Sequence, residues 1–193
     1  MNLLKTNLKN IVLPLAVITA TFLCNCSSVS TPYPLTSKPT AIDKKEFEGS
    51  WFVDEDNKVL QVKFSEDGIA HLAGLDWKNG HFEIVRGEMV IVEGKEHNFL
   101  SIRFEEKGKW KDEYFFVPYK FSEQGDLIFW IPNAKEFDKA IKKKLLRGKG
   151  ESSVSIASPA EELLKVLNDP GDLNLFDYKS PMVLHKAAEE KAE

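Results

Sequence analysis

In residues 59–64, VLQVKF, apolar and polar side chains alternate from Leu60 onward. Leu60, Val62 and Phe64 fall on one face and Gln61 and Lys63 on the other, the period of two that marks a strand with one buried side. The pattern returns in FLSIRFE, residues 99–105, where Leu100, Ile102 and Phe104 alternate with Ser101 and Arg103. In YFFVPYKF, residues 114–121, the inner row is Phe115, Val117, Tyr119 and Phe121. Pro118 has no N–H to give to a ladder and predicts an edge or a bulge.

Turn chemistry separates these runs: Asp54–Asn57, Glu66-Asp67-Gly68, Asn79-Gly80, Glu93-Gly94-Lys95, Lys107-Gly108 and Gln124-Gly125-Asp126. Asn79-Gly80 is the best hairpin signal, because both residues accept the positive φ of a type I′ turn. The run from His81 to Glu93 is interrupted at Arg86-Gly87-Glu88, where a bulge or bend is expected. The fold class is therefore mainly β: an antiparallel meander of six or seven strands forming a barrel or half-barrel.

After Pro132 the period changes. Ala134, Phe137, Ile141 and Leu145 fall at helical spacing. Ser158-Pro159-Ala160-Glu161 reads as N-cap, N1 proline and capping-box glutamate of a second helix, with Leu163, Leu164 and Leu167 as its apolar stripe and Pro170-Gly171 as its stop. SVSIA between the helices is a candidate short strand, and PMVLHK, residues 181–186, the closing strand. The resulting organisation is a leader over residues 1–25, a flexible N-terminal tether over 26–45, one β-rich domain over 46–187 with two C-terminal helices, and a frayed tail over 188–193.

Composition supports a packed interior: the chain has 13 Phe, 4 Trp and 4 Tyr in 193 residues. Its net charge of −4 would become −6 without residues 1–25, which hold Lys5 and Lys9 and no acid. That sign argues against nucleic acid as a partner. Residues 27–41, SSVSTPYPLTSKPTA, are mostly Ser, Thr and Pro, a composition expected to stay extended and unordered.

The chain opens with MNLLKTNLKN, a basic stretch, followed by the apolar run IVLPLAVITATFL. This is the form of a secretory signal peptide, and the run is shorter than the roughly 20 residues of a spanning helix. An uncleaved anchor is the alternative. The run ends in Leu23-Cys24-Asn25-Cys26-Ser27, which resembles the lipobox of bacterial lipoprotein precursors, with Leu23 three residues before Cys26. The resemblance implies a diacylglyceryl group on the Cys26 thiol, cleavage just before it, and a cell-envelope address with the membrane as partner through the lipid. Ser27 in place of Asp leans towards an outer membrane. Lipidation at Cys24 is the other option, with a poorer match in Thr21-Phe22-Leu23. As a Cys-x-Cys metal or disulfide pair, the two cysteines would lack further cysteine ligands.

Gly49-Ser50-Trp51-Phe52 is similar to the Gly-x-Trp-aromatic opening of lipocalins, whose Trp packs across one end of an eight-stranded barrel. That resemblance implies an apolar ligand or lipid inside the barrel, with Trp51, Phe115, Tyr119 and Phe129 as the candidate lining. Lys135, Lys139, Lys142, Lys143, Lys144, Arg147 and Lys149 crowd the first C-terminal helix and its end. They would contact anionic head groups or an acidic partner, or form a solvated outer face. His71, His81, His97 and His185 have no metal-ligand spacing, Asp54–Asn57 lacks the rest of a calcium loop, and no nucleophile or phosphate-loop motif is present. No enzyme activity, metal or cofactor is expected, and the leading reading is a structural or interaction module of the cell envelope.

Overall fold

The computed structural model describes residues 28–38, 40, 44–53, 58–78, 81–150 and 153–187. Cys24 and Cys26, the Asp54–Asn57 loop, Asn79-Gly80 and the tail from residue 188 lie outside the described residues. In chain order the elements are β1 (Val29–Thr31), α1 (Lys44–Phe47), β2 (Gly49–Val53), β3 (Lys58–Phe64), β4 (Ala70–Lys78), β5 (His81–Val92), β6 (Asn98–Glu106) and β7 (Lys109–Trp110). They continue with β8 (Tyr114–Phe121), β9 (Leu127–Phe129), α2 (Ala134–Lys142), β10 (Gly148–Gly150), β11 (Val154–Ile156), α3 (Ala160–Asn168) and β12 (Met182–Lys186).

The expected barrel is closed. Eight antiparallel strands run β8-β9-β12-β2-β3-β4-β5-β6, and the ring shuts where β6 pairs with β8 through Leu100↔Val117. The predicted closing strand is β12, set between β9 and β2. Alternation placed the inner rows of three strands: Val62, Leu100, Ile102, Val117 and Tyr119 share the interior core, with Leu60, Phe64, Phe104 and Phe121 packed against it. The turns behave as their residues require. Gly68 and Gly125 take φ of 87°, and Lys107 and Gly108 take 51° and 77° between the paired Glu106 and Lys109. Two consecutive positive φ values there match the twist of a tight hairpin.

Pro118 lies inside the sheet, opposite Phe99 of β6, and its carbonyl oxygen accepts the Trp130 N–H at 3.2 Å on the other side. One side of β8 faces β6; the other passes from β1 at Tyr114 and Phe115 to β9 at Tyr119, and Pro118 falls between the two. Its missing N–H is therefore not subtracted from either ladder.

A second core lies outside the barrel wall. Phe99, Phe116 and Val92 point outward and are covered by Phe137 and Ala140 of α2, Leu163 and Leu167 of α3, and Leu173, Leu175 and Phe176 of the segment before β12. β8 is thus apolar on both faces, which explains its near-continuous run of aromatic and aliphatic residues.

Three expectations are corrected. The tether expected over 26–45 contains ordered structure. β1 pairs in parallel with β11 and antiparallel with β8, Leu35 is fully buried, and its N–H donates to Ser101 Oγ at 3.2 Å. Val29 and Leu35 supply the apolar burial that composition averaging over Ser, Thr and Pro conceals. The bulge expected at Arg86-Gly87-Glu88 is absent: β5 keeps unbroken register with β4 and β6 across it. Gly87 is instead a crowded inner position, where a Cβ would lie 3.1 Å from the Arg103 carbonyl oxygen and 3.3 Å from Leu72 and Phe104. Ser158, finally, does not cap α3. Its buried hydroxyl accepts the Arg147 N–H at 2.8 Å, and Pro159 holds the N-cap position without a side-chain bond.

Candidate functional site

The four residues expected to line a ligand cavity are all buried. Trp51, Tyr119 and Phe129 join the interior core, and Phe115 packs against Phe104 with ring centroids 6.1 Å apart. The structure brings them to one interior, where they are engaged with the protein's own side chains. α1 carries Phe47 into the barrel end, with its ring 4.8 Å from Phe121 and 5.2 Å from Tyr119, both edge to face. Trp51 turns its indole N–H onto the Phe47 carbonyl at 2.7 Å and packs beside Phe121. A four-residue helix thereby acts as a plug, and the Trp that opens the barrel is the residue that holds it. Burial pushes the Tyr119 hydroxyl up to about 12, with repulsion from Glu46 and Glu93 adding to it and the Asn98 hydrogen bond working against it.

On the outer wall, a half-open cleft of about 250 Å³ lies between the N-terminal strap, the β3–β4 turn and strands β5 and β6. Pro34, Thr36 and Ser37 form one side, and Ile69, Val90 and Tyr114 contribute to the rest. Arg103 crosses it, donating through Nε to Glu88 Oε2 at 2.8 Å while its guanidinium stacks 5.0 Å from the Trp110 ring and 5.5 Å from Tyr114. The pair neutralises itself, and the volume falls below that of ordinary ligand pockets. The arrangement secures the wall on which the strap rests. Sequence reasoning placed Arg103 on the outward face but had no signal for its partners, since Glu88, Trp110 and Tyr114 come from three other strands. At the strap's lower end, Thr40 N–H reaches the Ile91 carbonyl oxygen where β5 runs past its last rung with β4.

The basic residues of α2 and its end largely find acids. Lys139 pairs with Glu136, Lys142 with Asp138, Lys143 with Asp172 at 2.8 Å, and Arg147 with Glu162 at 3.2 Å. Lys143 holds the exposed Asp172 carboxyl below its ordinary range. Four of the seven cations are paired in this way. His185 Nδ1 lies 3.0 Å from Asp126 Oδ1, joining β12 to the β8–β9 turn. Among the described residues no group of three or more His, Cys, Asp or Glu could hold a metal ion, and no helix is long and apolar enough to cross a membrane.

The remaining feature of the outer wall is apolar. Val59, Leu75, Phe82 and Ile84 are exposed on the outer faces of β3, β4 and β5. No protein-family profile, curated protein or solved structure matches this chain significantly.

Proposed function

We propose that the protein is a lipid-anchored component of the bacterial cell envelope whose barrel is a non-catalytic interaction module. The observation that carries the module reading is the aromatic plug. Phe47, Trp51, Tyr119 and Phe121 occupy the barrel end with their own contacts, so recognition falls to the outer wall. The anchor reading rests on Leu23 and Cys26 with the basic and apolar stretches before them. The docked strap adds to it: Ser28 already bonds to Val154, so a lipid on Cys26 would hold the barrel close to the bilayer instead of on a long leash. The membrane is the partner through the lipid, and a protein is the partner of the domain.

A second reading is a lipocalin-like carrier of a small apolar ligand, favoured by Trp51 packing across one end of an eight-stranded barrel. Native mass spectrometry of the mature chain separates the two. Protein of its bare sequence mass supports the module, and stoichiometric co-purifying lipid released on unfolding supports the carrier. Labelling with a fatty-acid analogue tests the anchor: wild type takes up label and Cys26→Ser does not, and label retained by Cys26→Ser would sink the assignment.

A further inference from the structure

β5 pairs with β4 from His81 to Met89, whereas its ladder with β6 runs only from Arg86 to Val92. β4 likewise pairs with β3 only from Ala70 to Gly74. Leu75–Lys78 and His81–Val85 therefore form a two-stranded arm that runs past the last rungs shared with its neighbours. Leu75 and Ile84 oppose each other on its outer face, and Phe82 stands two residues along on the same side, at the rung shared with Trp77. Exposure is 65% for Phe82, 62% for Ile84 and 51% for Leu75, with Val59 of the adjoining strand at 44%. These are four of the eight large apolar residues exposed among the described residues, gathered in one place.

We infer that this arm is a docking edge for an extended strand of a partner protein bearing an apolar side chain at every second position. The reading deepens the interaction-module proposal and does not depend on the lipid. Three occupants compete, and size and charge choose among them. Side chains of this kind at these exposures amount to roughly 400 Å² of apolar surface. A stable second copy packed face to face needs about 800 Å² from each partner. Antiparallel self-pairing of two arms about the middle of His81–Val85 would also set Glu83 against Glu83, a like-charge rung. An anionic bilayer calls for a surplus of cations, but His81 lies 3.5 Å from Glu83 and Arg86 lies 3.8 Å from Glu105. An added strand needs little area, because the main-chain ladder supplies affinity and alternate side chains supply specificity.

The test pans a random nonapeptide display library against the mature chain, then maps the most enriched peptide by amide hydrogen exchange. Ile84→Lys and Leu75→Thr alter exposed positions, and an unchanged melting temperature confirms that both variants fold. Enriched peptides should alternate apolar residues, slow exchange across residues 82–85 at least tenfold, and bind Ile84→Lys at least tenfold more weakly and Leu75→Thr several-fold more weakly. Failure to enrich any peptide overturns the inference. So does equal binding to Ile84→Lys, a wild-type dimer that Ile84→Lys dissolves, or arm-dependent binding to vesicles of phosphatidylcholine and phosphatidylglycerol. Peptides that protect the wall beneath the strap would remove the arm and leave the module reading standing, whereas lipid held inside the barrel would remove the module reading itself.

Discussion

The barrel interior and the core outside β8 share one wall, and both are closed by aromatic rings, yet they are assembled in opposite ways. β3 and β6 announce their inward rows by alternation, and neighbouring strands in sequence are mostly neighbours in space. The outer core collects Val29 and Leu35 from the strap, Phe116 from β8, Phe137 from α2, Leu163 from α3 and Phe176 from a loop. It is stitched by contacts such as Leu35 to Ser101, 66 residues apart. The difference teaches that a closed barrel with an apolar interior core can still depend on covering elements. β8 presents Phe116 to the outside, and without the strap and helices that face would be wet.

The sharpest way to break this comparison is to remove its most improbable contributor. A chain beginning at Ala41 loses β1, Val29 and Leu35, each side chain worth about 1.5–3 kcal/mol of burial. Its melting temperature should fall by about 10 °C or more, and a neutral truncation would show that the strap merely lies on the wall. Next come paired deletions, one in each core. Phe47→Ala and Phe116→Ala should each destabilise by about 3–5 kcal/mol in chemical denaturation. Phe47 touches Phe64, Tyr119 and Phe121 while Phe116 touches Phe137 and Phe176, with no shared ring. The double variant should therefore be additive, and strong coupling would mean that the two cores are one.

Ser101→Ala probes the junction at smaller scale. It leaves the buried Leu35 N–H without its acceptor, at a cost of about 1–3 kcal/mol. Faster amide exchange at Leu35 with unchanged exchange in β12 would localise that loss to the strap. The smallest effect is alkaline. Because the folded Tyr119 hydroxyl titrates near 12 and the unfolded one near 10, its contribution is fully present below pH 10 and is lost as the pH rises through 12. Melting temperature measured from pH 9 to 12 should fall in that window, and Tyr119→Phe should flatten the part of the slope that belongs to this residue.

Much of the fold could be read from residues in order. VLQVKF, FLSIRFE and YFFVPYKF carried strand identity and face, and Lys107-Gly108 carried a turn. What failed did so for stated reasons. Gly87 resembled a bulge because glycine signals both a kink and a close approach, and only the neighbouring Leu72 and Phe104 tell the two apart. Ser158 resembled a cap because capping is local, but the Arg147 N–H reached it first. Of the candidate site, the burial of Trp51, Phe115, Tyr119 and Phe129 was legible, while the plug that engages them was not. α1 is only four residues long and shows no periodicity.

By itself the sequence determined which side chains of β3 and β6 turn inward, because the pleat repeats every two residues and only one of their faces is mostly apolar. Tertiary structure alone decided what covers the other faces. A Ser- and Pro-rich segment became a strap, a basic helix became a lid with four of its cations paired, and Leu75, Phe82 and Ile84 of the β4–β5 arm stayed exposed. Those outcomes depend on which distant segments meet, and no local period records that.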